Sequence, residues 1–283
     1  MPPERLYLSD GVSVAQAVAS LTDCIREAQN PASWGSPGDV FKLVSRYLQW
    51  FETAESRLAS LTCDAEALTM LQTERHWYIR RCGASIADAR PWPLVEAEVE
   101  AQRRAFDRLL QDLKTRAGRL ASAPGHITVV DTNLLLHFHP PDQIPWPELL
   151  GRDLVRLVVP LRVVEELDAK KYARRNDLAD RARRLLSKLE TTVGPEGAPG
   201  KLRGGVTIEV PVDPGPRRRP VDADQEILDT CRELRQLTSG EVTLVTGDTT
   251  MRLRAQACGT HVARLPARFE RDQRQAESAA AAE

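Results

Sequence analysis

Residues 1–122 carry their apolar side chains at helical spacing. Val14, Val18, Leu21 and Ile25 recur at intervals of three and four, as one face of a helix requires. The break N-P-A-S-W-G-S-P-G-D follows, with Asp39 placed as an N-cap for a second helix that carries Phe41, Val44, Leu48, Phe51 and Leu58 along one face. A third helix is expected from about Asp64 to Arg81, holding Met70, Leu71, Trp77 and Ile79. A fourth, rich in Arg and Glu, is expected from about Leu94 to Ala121, after R-P-W-P. Four helices with short breaks predict an all-α helical bundle.

The pattern changes after A-S-A-P-G-H, residues 121–126. I-T-V-V is a continuous β-branched run, as a buried parallel strand should be, and L-V-R-L-V-V-P, G-V-T-I-E-V-P, E-V-T-L-V-T and H-V-A-R-L-P repeat it. Helical stretches alternate with them, at Arg162–Tyr172, Asp177–Thr192, Asp224–Leu237 and Thr250–Cys258. The class is therefore α/β with a mainly parallel central sheet. G-P-E-G-A-P-G-K-L-R-G-G, residues 194–205, reads as a flexible loop. The expected organisation is a helical bundle over 1–122, an α/β domain over 123–268 and a frayed tail over 269–283.

A formal net charge of -1 gives no global basic field for nucleic acid, so such binding would need a local patch. The five cysteines, Cys24, Cys63, Cys82, Cys231 and Cys258, form no C-x-x-C pair, which argues against a disulfide framework or a zinc site. Reduced thiols and a cytoplasmic location are expected. M-P-P-E-R-L-Y-L-S-D is no signal peptide, and no apolar run approaches the roughly 20 residues of a membrane helix. Serine-hydrolase, P-loop and dinucleotide-binding motifs do not occur.

Four segments of the second half put acids at strand ends or helix starts: V-V-D-T-N (Asp131), V-V-E-E-L-D (Glu165, Glu166, Asp168), D-A-D-Q-E-I-L (Asp222, Asp224) and L-V-T-G-D (Asp248). In an open α/β sheet these ends gather at one edge, where ligands bind. Two unit charges at about 4 Å repel by roughly 4 kcal/mol at an effective dielectric of 20, so the set calls for a cation. Hard oxygen ligands suit Mg²⁺ or Mn²⁺. Each acid has a structural alternative. Asp131 and Asp248 stand where helix caps stand, either Asp222 or Asp224 is placed to cap, and Glu165 and Glu166 fit a solvated helix face with Lys170 four residues after Glu166. Periodicity does not separate Glu165 from Glu166. Gly247 is expected to permit an unusual backbone angle before Asp248.

These motifs resemble the PIN domain, the fold of many metal-dependent ribonucleases, over residues of about 127–268. The resemblance matches Asp131, Glu166, Asp224 and Asp248 to the family's four acids, and alone selects Glu166 over Glu165. Where the family often has Asn before the last acid, this chain has Gly247. It implies a divalent-metal-dependent endoribonuclease holding Mg²⁺ or Mn²⁺ on those four residues, a metal-activated water, and a 5′ phosphate product. Asn133, Asp222, Thr246 and Thr249 are supporting candidates, the threonines as partners of a carboxylate or the water.

Basic residues accompany the acids: Lys170, Lys171, Arg174 and Arg175 after Glu166, Arg217, Arg218 and Arg219 before Asp222, and Arg252 and Arg254 after Asp248. Arg181, Arg183, Arg184 and Lys188 follow along the next helix. They are candidate phosphate contacts for RNA, single-stranded by preference, since an acidic cleft alone would repel it. Tyr172 is a candidate stacking residue, whereas Phe138 and Trp146 are placed for packing. His137 and His139, in H-x-H spacing, lack further ligands nearby, and His76 and His261 read as structural. The helical domain is expected to recruit RNA, a protein partner or a second copy, with no membrane partner. The rivals are a non-catalytic PIN-like binding module, a toxin-type ribonuclease of a toxin–antitoxin pair, and a DNA-directed nuclease.

Overall fold

The computed structural model describes residues 5–29, 39–82, 90–172, 177–211 and 222–271. The expected tail beyond residue 271, and the basic residues Arg174, Arg175, Arg217, Arg218 and Arg219, lie outside the described residues. The chain divides into two compact units, Met1–Ala121 with Gln236–Ser239, and Ser122–Arg235 with Gly240–Glu283.

The first unit contains α1 (Val14–Gln29), α2 (Val40–Leu61), α3 (Ala65–Thr69), α4 (Glu74–Cys82) and α5 (Pro91–Ala121). Asp39 caps α2, accepting from the Lys42 N–H at 2.9 Å. The buried face of α2 centres on Leu43, Tyr47, Trp50, Ala54, Leu58 and Leu61. Phe41, expected on that face, is 71% exposed. At about 100° per residue, Phe41 and Leu48 fall on the flanks of a stripe whose middle is Tyr47 and Trp50. The expected third helix is two helices. Thr73 interrupts it by accepting from the His76 N–H at 3.0 Å, which starts α4, and Trp77 is 41% exposed while Ile79 is fully buried. Thr73 is the N-cap that separates the two helices.

The second unit is a six-stranded sheet in the order β3-β4-β2-β1-β5-β6, with β1 (His126–Val130), β2 (Val155–Val158), β3 (Gly200–Arg203), β4 (Val206–Glu209), β5 (Val242–Val245) and β6 (His261–Ala263). All neighbours are parallel except β3 and β4. The helices are α6 (Thr132–His137), α7 (Trp146–Leu150), α8 (Leu161–Lys170), α9 (Asp177–Thr192), α10 (Ala223–Thr238) and α11 (Thr249–Ala257). β2 and β5 are buried along their length and β1 in all but its first residue, as their continuous apolar runs require.

The expected loop over 194–205 contains β3, which forms a hairpin with β4. Gly204-Gly205 is the two-residue turn, with Gly205 at φ +71°, a left-handed conformation in which glycine is unstrained. That Gly-Gly between K-L-R and V-T-I-E was the available hairpin signal. Arg156 of β2 and Glu209 of β4 form a buried bidentate ion pair at 2.8 and 2.7 Å. Among the described residues no helix is long and apolar enough to cross a membrane, and the five cysteines are free thiols.

Candidate active site

The chain runs from β1 to β2 on one side, on to β4, then returns through α10 to β5 on the other side of β1. The connection therefore reverses between β1 and β5, and sheets of this kind bind ligands beyond the carboxyl ends of the strands at such a point. Asp131 follows the last residue of β1, and Thr246, Gly247 and Asp248 follow the last residue of β5. The polar candidates sit where the backbone leaves the sheet, and the apolar strands behind them fix their positions.

Asp131 is 4% exposed. One carboxylate oxygen accepts from the Leu134 N–H at 2.8 Å, capping α6. The other accepts from the Thr246 hydroxyl. Thr246 in turn accepts from the Asp248 N–H at 2.9 Å, so one buried hydroxyl links the two loops. Burial pushes the Asp131 carboxyl up to about 6, against these two hydrogen bonds, and Asp248 and Asp224 add to the rise. Cap and site residue are thus one group here, and its partners include no cation.

Asp248 is exposed and caps α11, accepting from the Met251 N–H at 3.0 Å. Asp222 accepts from the Asp224 N–H at 3.0 Å at the start of α10, and hydrogen bonding from Arg254 holds its carboxyl below the usual range. Asp224 is shifted up by burial and by Asp222, Asp248 and Glu166, with Arg254 opposing at 3.5 Å. Glu166 accepts from the Thr132 hydroxyl and lies 3.6 Å from Arg162. Glu165, one residue earlier, lies 3.8 Å from Arg162. The Lys170 partner that the solvated-face alternative offered is not used among the described residues; Arg162, one helical turn before Glu166, lies beside it. Asp131, Glu166, Asp224 and Asp248 therefore form one electrostatically connected set drawn from four segments.

Gly247 does not have positive φ, contrary to the expectation of an unusual backbone angle. Its need is for space: a Cβ there would lie 2.6 Å from Asn133 Oδ1 and 3.2 Å from Phe138. Asn133 thus packs over the Thr246–Asp248 turn, while Asp131 supplies the cap of α6. Thr249 does not reach a carboxylate. Its hydroxyl accepts from Arg252 at 2.8 Å.

Arg252 and Arg254 are engaged locally. Arg252 donates to the Gly247 carbonyl at 2.8 Å, and Arg254 bridges Asp222 at 2.8 Å and Gln225 at 3.0 Å. They stabilise the acidic loops more directly than they present themselves to phosphate. Lys170 is exposed, and Lys171 pairs with Asp168 and lies 4.8 Å over the ring of Tyr172, itself 77% exposed. Phe138 and Trp146 are buried. His137 is pushed down by burial and by Arg181 and Lys170, and His139 packs edge-on to Phe269. Thr132, Arg162 and the burial of Thr246 are features of the candidate site that the sequence pattern does not single out. Thr132 directly follows Asp131, which was its one available signal.

Among the described residues, no three His, Cys, Asp or Glu side chains stand close enough together to hold a metal ion as they are. The donor set is nonetheless all carboxylate, the chemistry that hard divalent cations select. Three of the four acids are at least partly exposed, Asp224 and Asp248 at helix starts and Glu166 within α8, and a cation would relieve the buried charge of Asp131.

A search of curated proteins gave no match. Among solved structures, a domain of a functionally unknown protein from Methanocaldococcus jannaschii DSM 2661 is 18% identical, with 53% of this chain and 97% of that chain covered and a TM-score of 0.34. Residues 128–265 match the family described as PIN domain. That span holds all four candidate acids, and the C-terminal half of this chain is a PIN domain, a fold whose members are generally nucleases.

Proposed function

We propose that the C-terminal half is a divalent-metal-dependent endoribonuclease. The observation that carries the reading is the carboxylate set itself. Asp131 is buried, shifted toward the neutral form and left without a cationic partner, while facing Asp224 and Asp248. A fold does not maintain such repulsion for stability, and perturbed acids in a crevice mark functional sites.

Asp131, Glu166, Asp224 and Asp248 would hold the ion. When bound, Mg²⁺ or Mn²⁺ would supply a more acidic water and neutralise charge on a phosphate. Thr246 holds Asp131 and the Asp248 backbone in fixed relation, and Thr132 orients Glu166. Arg162 and Arg254 offset part of the negative field at its margins. Lys170, Lys171 and Tyr172 follow Glu166 on the exposed end of α8 and are placed to meet a strand that carries its own phosphates. RNA over DNA, and an internal cut, rest on the family resemblance.

The test is cleavage of labelled single-stranded RNAs and DNAs with Mn²⁺, Mg²⁺ or EDTA, beside an Asp131→Asn, Asp224→Asn variant. Metal-dependent RNA cleavage that falls more than about 100-fold in the variant is expected, a loss beyond that of outer-shell partners. Equal behaviour of wild type and variant on every substrate would remove the reading.

A further inference from the structure

A cavity of about 190 Å³ opens in the α/β unit between α9, the Pro140–Gln143 turn and the edge formed by β3 and β4. Its floor is apolar, made by Leu135, Val159, Leu185, Leu189 and Ile208. Four cations line it: Arg181, Arg184, Lys188 and Arg271, with Asp142 as the acid among the lining residues. None of these belongs to the carboxylate set.

The cations are not equivalent. Arg181 pairs with Asp177 and donates to the Leu136 carbonyl at 3.0 Å, so it is a fixed part of the wall. Lys188 lies 3.6 Å from Asp142. Arg184 and Arg271 take part in no ion pair among the described residues. Arg271 is held in place by its backbone, whose N–H donates to the His137 carbonyl at 2.9 Å beside the Phe138–Glu270 bridge. Burial, with Arg181 and Arg184 close by, lowers its guanidinium below the usual range. Like charges crowded at the mouth of an apolar pocket are stabilised by an anion. Guanidinium forks match phosphate oxygens in a bidentate way. The floor offers dry contact for a flat, weakly polar group and few hydrogen-bonding groups to specify it.

We propose that this cavity binds a nucleoside phosphate, the base against Leu185, Leu189 and Ile208 and the phosphate on Arg184 and Arg271. It adjoins the candidate active site through α6. Asp131 caps the first turn of that helix and Arg271 bonds to its last residue, a helix of six residues that spans about 9 Å. A strand with one nucleotide in the cavity therefore needs to run only a short distance to reach the acids. The site gives the strand a polarity and a fixed register relative to the crevice. It does not require cleavage, and is tested without it.

The 283-residue protein in EDTA would be titrated with a short single-stranded RNA across a range of salt, and separately with adenosine and uridine monophosphates and with inorganic phosphate. An Arg184→Glu, Arg271→Glu variant should bind RNA at least tenfold more weakly, with a salt slope shallower by about 0.7, the value for one phosphate contact on a single strand. Leu185→Trp, which fills the floor, should weaken binding without changing that slope. The Asp131→Asn, Asp224→Asn variant should bind at least as well as wild type, which separates this site from the cleavage reading. Loss of RNA affinity assigns the nucleotide to the substrate strand. Mononucleotide binding that both pocket variants abolish, with RNA affinity intact, assigns it to a free nucleotide. Unchanged RNA and mononucleotide binding in both folded variants would overturn the proposal, as would equal affinity for inorganic phosphate.

Discussion

Each unit buries an acid, and the two are treated in opposite ways. Glu98 of α5 is fully buried, and accepts from Arg75 at 2.9 Å, Gln102 at 2.6 Å and the Thr73 hydroxyl. Gln102 also reaches the Leu71 carbonyl and Tyr47, and Tyr47 meets His76 at 2.8 Å, so the acid anchors a network between helices. Asp131 is nearly as buried, but its two partners are neutral and the nearest charges are other carboxylates. Burial alone does not mark a site. An acid with matched donors specifies packing, whereas one held among like charges is a candidate functional group.

The largest effect expected from this comparison is at Glu98. Glu98→Ala strips Arg75, Thr73 and Gln102 of their shared acceptor and should cost about 3–5 kcal/mol, read as a lower urea midpoint. Loss of under about 1 kcal/mol would show the network to be incidental.

Asp131→Asn should act in the opposite direction. The folded carboxyl titrates at about 6 against 3.8 when unperturbed, so the folded state holds the proton more tightly and loses stability as pH rises through that interval. The cost is about 3 kcal/mol above pH 6 and vanishes below pH 3.8. Asn keeps the cap on α6, so the variant should be the more stable protein at pH 8 and level with wild type near pH 4. A variant less stable at pH 8 would mean that Asp131 is held for structure, as Glu98 is.

Mn²⁺ at about 100 times its dissociation constant should stabilise wild type by roughly 2.7 kcal/mol and leave the Asp131→Asn, Asp224→Asn variant unmoved, as a thermal shift would report. Equal shifts in both proteins would place the ion elsewhere. The smallest effect is at the turn between the two loops. Gly247→Ala should cost about 1 kcal/mol through its clash with Asn133, and Asn133→Ser should recover most of it in a double-mutant cycle.

Local chemistry carried much of this molecule into view. The β-branched runs announced parallel strands, and helices α1, α2, α5, α9, α10 and α11 lie close to where apolar spacing put them. Errors came where local signals were ambiguous or weighed one at a time. Phe41 is apolar yet lies off the buried stripe, since a helix face is defined by its centre. β3 differs from the expected loop because glycine and proline signal loops by composition, whereas the Gly-Gly pair acts here as a hairpin turn.

The sequence by itself determined the residue types of the candidate site and the strand ends and helix starts on which they stand, because those depend on interactions within a few residues. Only the tertiary structure decided which acid is buried, that Thr246 joins Asp131 to Asp248, that Arg254 turns inward to Asp222 and Asp224, and that Gly247 makes room for Asn133. Those contacts join residues from separate strands and helices. Their energies depend on distance and dielectric, which are properties of the packed molecule.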